Sequence, residues 1–114
     1  MDELQLTARF AIHEGKLDEF ESLARSCMDS VREKDSGTIQ YDWFFSADRA
    51  GCVVRERYRD SAAVLEHAVN FGDLLGRIVA ISDLDIEIYG SPTDELLEAF
   101  AGLAPRVYSA FQSI

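Results

Sequence analysis

Two side chains in this sequence, Glu56 and His67, have the chemistry to move a proton near neutral pH and lie close enough along the chain to do so together. Imidazole titrates near physiological pH, and a carboxyl group is brought towards that range when burial disfavours its charged form. Glu56 alternates with Cys52, Val54 and Tyr58 on one face of a strand-like run, so its carboxylate is desolvated unless hydrogen-bonded. The same residue also suits a structural role, paired with Arg55 or Arg57. His67 sits on a helical stretch whose buried arc is defined by Ala62, Val64, Leu65, Ala68 and Val69. That arc leaves His67 outside, beyond Val64, so periodicity alone makes it a surface histidine.

Around this pair stand residues able to hold a flat substrate. Tyr41, Trp43 and Tyr58 combine apolar ring surface with hydroxyl or indole donors, the mixture needed to grip an aromatic molecule and orient one oxygen. A well-filled core uses the same residues. Asn70 and Phe71, just past His67, are placed to line the mouth of the same pocket, whereas His13, beside Glu14 and Gly15, reads as an exposed turn. The sequence has no glycine-rich phosphate cradle, no His-x-x-x-His or cysteine-rich metal spacing and no Gly-x-Ser-x-Gly nucleophile elbow. No metal site is expected.

The elements that must position these groups can be read from periodicity. Leu4 to Ile12 alternates apolar and polar residues as a half-buried strand does. Leu17, Phe20, Leu23, Ala24, Cys27, Met28 and Val31 form the stripe of a helix over about Lys16 to Asp35, with Gly37 expected in the left-handed conformation just beyond it. Thr38 to Ser46 and Cys52 to Arg59 read as a hairpin, the first strand carrying Ile39, Tyr41, Trp43 and Phe45 on one face and Phe44 on the other. Asp60 caps the next helix, which breaks near Asn70 to Gly72 before a second apolar set through Val79. Leu84 to Tyr89 forms another strand, ended at Gly90. Ser91 with Asp94 makes a variant capping box, with Pro92 at the first position of the helix that carries Leu96, Leu97, Phe100 and Leu103. Pro105 ends that helix and leaves 106–114 as a C-terminal arm or short strand.

This order predicts a single α+β domain over 1–114, a ferredoxin-like antiparallel sheet with helices on one face. Apolar residues on both faces of the second strand leave the helix-free face in want of cover, for which a second copy of the chain is the simplest source. A homodimer is therefore expected, with the arm, through Val107 and Phe111, packing on the other subunit. Eleven basic against twenty-one acidic residues give a net charge of −10, which disfavours nucleic acid and anionic membranes as partners. Without a long apolar run or a signal-like start, and with Cys27 and Cys52 reading as reduced core thiols, a cytoplasmic protein acting on a small molecule is expected.

The ordered set Glu56-x-Tyr58-x-Asp60 and His67, preceded by Gly37 to Tyr41 and by Phe10 to Phe20, resembles the antibiotic biosynthesis monooxygenase family of small dimeric α/β barrels. The resemblance covers most of the first ninety residues. It implies an oxygenase of a phenolic or quinol-like substrate that uses no flavin, haem or metal, with His67 reaching the pocket as base, Glu56 assisting, and Tyr41, Trp43 and Tyr58 positioning the ring. The same fold would also serve an isomerase of a small signalling metabolite using the same pair for enolisation, or a non-catalytic small-molecule-binding module.

Overall fold

Apolar residues at every second position of the strands meet apolar residues at every third or fourth position of the helices, and one core forms between them. The computed structural model describes residues 2–114. In chain order the elements are β1 (Leu4–Ile12), α1 (Leu17–Lys34), β2 (Thr38–Phe45), β3 (Gly51–Tyr58), α2 (Ser61–Phe71), α3 (Leu74–Val79), β4 (Ser82–Tyr89), α4 (Asp94–Ala99), a 3-10 turn (Ala101–Leu103) and β5 (Arg106–Tyr108). The strands make one sheet in the order β2-β3-β1-β4-β5. All its pairs are antiparallel except β4 with β5.

The helices cover one face. Leu4, Leu6, Ile86 and Ile88 meet Ala63, Val64, Leu96 and Phe100 at one end, while Phe10, Cys52 and Val54 meet Phe20, Leu23 and Ile78 at the other. Each of the larger side chains stabilises the fold by roughly 2 kcal/mol on burial. Cys27 and Cys52 are both buried free thiols, and desolvation pushes each up to about 12. No helix among the described residues is long and apolar enough to cross a membrane.

Several local expectations are corrected. β2 slips register between Thr38 and Gln40, and Ile39 is 51% exposed rather than aligned with Tyr41, Trp43 and Phe45. The outer face of the sheet is more polar than strand alternation implied: Arg9 and Arg106 both reach Glu87, at 3.5 and 3.1 Å, and Arg57 pairs with Glu3. The cap of α4 is Thr93, whose hydroxyl accepts from the Leu96 amide at 3.2 Å; Ser91 and Pro92 lie before the helix. The first residues of the arm pair with the chain's own β4, while Phe111 is 98% exposed.

Gly37 is a correction with consequences for the site. It is not left-handed, and α1 ends in an extended Asp35. What requires glycine is close approach: a Cβ here would overlap that of Ala63 and come within 3.5 Å of the Ala63 Cα. The start of β2 thus lies against the first turn of α2, held also by the Arg59 amide donating to the Gly37 carbonyl at 2.9 Å. Gly37→Ala is expected to cost about 1–3 kcal/mol, read as a lower denaturant midpoint at unchanged slope. A variant as stable as the parent would show that the two backbones have room to part.

Candidate functional site

The strand and helix that bracket the site are oriented by different local rules. On β3, strict alternation turns Cys52, Val54, Glu56 and Tyr58 inward, so an acidic residue enters the core with three apolar or aromatic neighbours. On α2, the Asp60 carboxylate accepts from the Ala63 amide at 2.9 Å and fixes where the helix begins. The buried residues that follow are Ala63, Val64, His67 and Phe71. This arc corrects the one drawn from apolar residues alone: Ala62 is exposed and Val69 is 78% exposed, while His67 is buried. The rotation follows from the polar partner waiting for His67 in the core.

That partner is Asp35, at the end of α1. His67 Nδ1 lies 2.8 Å from Asp35 Oδ2, Asn70 Nδ2 donates to Oδ1 at 2.8 Å, and the Thr38 hydroxyl donates to Oδ2 at 2.6 Å. The Asp35 side chain is only 1% exposed. Burial acts to raise its carboxyl, but the hydrogen bonds from Asn70, Thr38 and His67 outweigh it and hold Asp35 below the usual carboxylate value. An ionised Asp35 requires a proton on Nδ1, so His67 Nε2 carries a free lone pair. Burial lowers the His67 pKa against the opposing pull of Asp35, and the ring is neutral at physiological pH.

Nε2 faces Glu56, whose Oε1 is 4.0 Å away. That gap exceeds a direct hydrogen bond and leaves room for an intervening oxygen. Glu56 accepts a short hydrogen bond from the Tyr58 hydroxyl and, among the described residues, has no arginine partner. Burial, reinforced by the charge of Asp35 and opposed by the Tyr58 bond, pushes Glu56 up to about 7. Tyr41 and Tyr58 are pushed well above the ordinary phenol value, first by burial and then by Glu56, so both remain neutral. The site therefore combines a neutral base with a carboxyl group that is only partly ionised near neutral pH. It also walls the imidazole with the rings of Tyr41, Tyr58 and Phe71, at 5.2, 5.2 and 4.2 Å.

His67 and Glu56 open on a narrow, partly open cavity of about 50 Å³, otherwise lined mainly by apolar side chains from the sheet, α2, α3 and the segment after α4. Tyr41 and Phe71 line it. Trp43, Tyr58 and Asn70 stand behind the wall instead: Trp43 stacks on Phe10 with centroids 6.1 Å apart, Tyr58 bonds Glu56, and Asn70 bonds Asp35. His13 is at the surface, 3.1 Å from Asp83.

The family model for antibiotic biosynthesis monooxygenase matches residues 5–70. The chain belongs to this family. Among solved structures, MupZ from Pseudomonas fluorescens is 20% identical with a TM-score of 0.87, over 100% of this chain and 94% of that one. SnoaB, a cofactor-independent oxygenase from Streptomyces nogalater, is 18% identical with a TM-score of 0.69, over 82% and 96%. Rv0793 from Mycobacterium tuberculosis is 22% identical with a TM-score of 0.69, over 81% and 96%. A search of curated proteins found no match.

The segment matched by the antibiotic biosynthesis monooxygenase model holds Asp35, Tyr41, Glu56 and His67 together. Asp35 is the residue that sequence reasoning missed. It ends the amphipathic stripe of α1 and resembles any polar helix terminus; only the return of α2, 32 residues later, gives it a role.

The folded protein keeps the Glu56 proton to about 7, while the unfolded chain releases it near 4.5. The folded state thus binds more protons over that interval, and Glu56 makes stability fall as pH rises across it. Asp35 and His67, both lowered, act in the opposite direction, so the contribution is isolated by difference. Glu56→Gln is expected to gain on the order of 2 kcal/mol relative to the parent at pH 8 compared with pH 5, from denaturant midpoints at both. An equal difference at the two pH values would mean that Glu56 titrates normally.

Proposed function

We propose that this protein is a cofactor-independent monooxygenase of a small phenolic or quinol-like substrate, with His67 as general base. The observation that carries the reading is a buried imidazole whose Nδ1 is held by Asp35 and whose Nε2 lies 4.0 Å from Glu56 beside an apolar cavity. His67 takes the phenolic proton, and the resulting electron-rich anion reduces dioxygen in one-electron steps and forms a carbon–oxygen bond to a peroxide. Loss of the remaining C–H proton at that carbon breaks the O–O bond, leaving a ring carbonyl and water. Glu56 supplies the proton to the departing oxygen, and the apolar lining limits the access of bulk water to the intermediate. Tyr41, at the cavity wall, offers a hydroxyl to the substrate oxygen. Tyr58, Trp43 and Asn70 act through their neighbours.

An oxygen electrode with a panel of hydroquinones and naphthols, and no added flavin or metal, tests this. His67→Asn is the informative variant, since its amide can keep the bond to Asp35 while Nε2 is deleted. His67→Ala, by contrast, would strand a buried carboxylate and cost about 2–4 kcal/mol, more than for the exposed histidine that periodicity implied. His67→Asn is expected to lower oxygen uptake on the order of a hundred- to ten-thousandfold. Full activity in that variant would remove His67 as base.

The pairing of base and acid at 4.0 Å also suits enolisation, in which one proton is removed and another returned. An isomerase would exchange solvent hydrogen into its substrate without consuming oxygen.

In the same reading the chain works as a homodimer. Phe44, Val107 and Tyr108 are 56%, 42% and 45% exposed, and Phe111 projects from the arm. Sedimentation at micromolar concentration is expected to give a dimer that weakens when 109–114 is deleted; a stable 12.8 kDa monomer would overturn this.

A further inference from the structure

An open apolar groove of about 490 Å³ runs along the outside of α2, between α3 and the segment from Ala99 to Leu103. It shares four lining residues with the cavity beside His67 and Glu56: Ala68, Leu75, Phe100 and Leu103 line both. These side chains border both spaces, so the groove adjoins the cavity at His67 and Glu56. No polar or charged side chain lines the groove, on a chain of net charge −10, and Val69 is 78% exposed within it. A hydrocarbon requires no hydrogen-bonding group from such a lining.

The cavity poses the complementary problem. Sites that hold a benzene-sized ring are on the order of 150 Å³, and this one is about 50 Å³. A ring needs more room than the cavity offers, and the adjoining groove, which shares its lining, is where that room lies. Of the shared residues, Leu75 lies on the six-residue α3, which follows Gly72 at φ 57°, while Phe100 and Leu103 belong to the segment after α4 and Ala68 to α2.

We propose that the groove is a subsite for an alkyl chain, and that the substrate is an amphiphile: a small polar head against His67 and Glu56, and an unbranched hydrocarbon tail running past Phe100 and Leu103 along Val69. The inference rests on the phenolic reading only for the identity of the head.

The test is a chain-length series on the full-length protein: phenol, 4-butylphenol and 4-octylphenol, beside 1-butanol and 1-octanol, with affinities from calorimetry. Burial of each methylene is expected to raise affinity by up to about fourfold. Val69→Glu and Gly102→Leu should abolish that increment and leave phenol itself unchanged. Val69 is largely exposed, a side chain at Gly102 enters open space, and neither residue lines the cavity. Phenol binding without a chain-length increment overturns the tail subsite and leaves the phenolic head standing. Equal increments for phenols and alcohols, with no gain from the phenol ring, support the subsite and remove the phenolic head. An increment that survives both variants, or a change in sedimentation caused by Val69→Glu, overturns the proposal, the latter by assigning the groove to contact between copies. Failure of every probe to bind overturns it as well.

Discussion

The carboxylate of Asp35, buried where α1 hands over to β2, is the constraint on which the rest of the site depends. A buried carboxylate is tolerated only when its oxygens are filled by donors, and each missing donor costs on the order of 1–3 kcal/mol. Thr38 supplies one from the strand that follows; His67 and Asn70 supply two from α2. The hydrogen bonds from His67 and Asn70 thereby tie the rotation of α2 about its own axis to Asp35. Ser36 adds to the same junction by donating its amide and hydroxyl to Glu66, at 2.9 Å each. His67 faces inward because a charge already in the core needs it, and its tautomer follows.

This explains what the sequence disclosed and what it withheld. The alternation of Leu4 to Ile12, the stripe from Leu17 to Val31 and the cap at Asp60 are local signals, and the corresponding elements form where those signals place them. Glu56 could be located because alternation on β3 leaves it no choice of face. His67 could not, because an arc drawn only through apolar residues of α2 takes in Ala62 and Val69 and omits a histidine whose burial depends on a residue from another element. Ile39 was misplaced for a related reason: a bulge breaks the period of two, and nothing in Thr38-Ile39-Gln40 announces it. Gly37 was correctly marked as special for the wrong cause, since contact with Ala63 rather than chain reversal demands it.

The molecule divides its tasks along the chain. The part matched by the antibiotic biosynthesis monooxygenase model, residues 5–70, carries every group that can take or give a proton in the cavity. Leu75, Phe100 and Leu103, which line the cavity, come later, from α3 and the segment after α4.

Trp43 has a use that does not depend on any reaction. It is the sole tryptophan, its Nε1 is buried with no hydrogen-bond partner among the described residues, and it sits edge-on to Tyr41 at 5.8 Å, one ring back from the cavity. An indole in such surroundings emits towards the blue, and its emission shifts when water or a dipole comes near. The protein therefore contains an optical reporter in contact with the cavity wall, so that occupancy can be followed by light without any label.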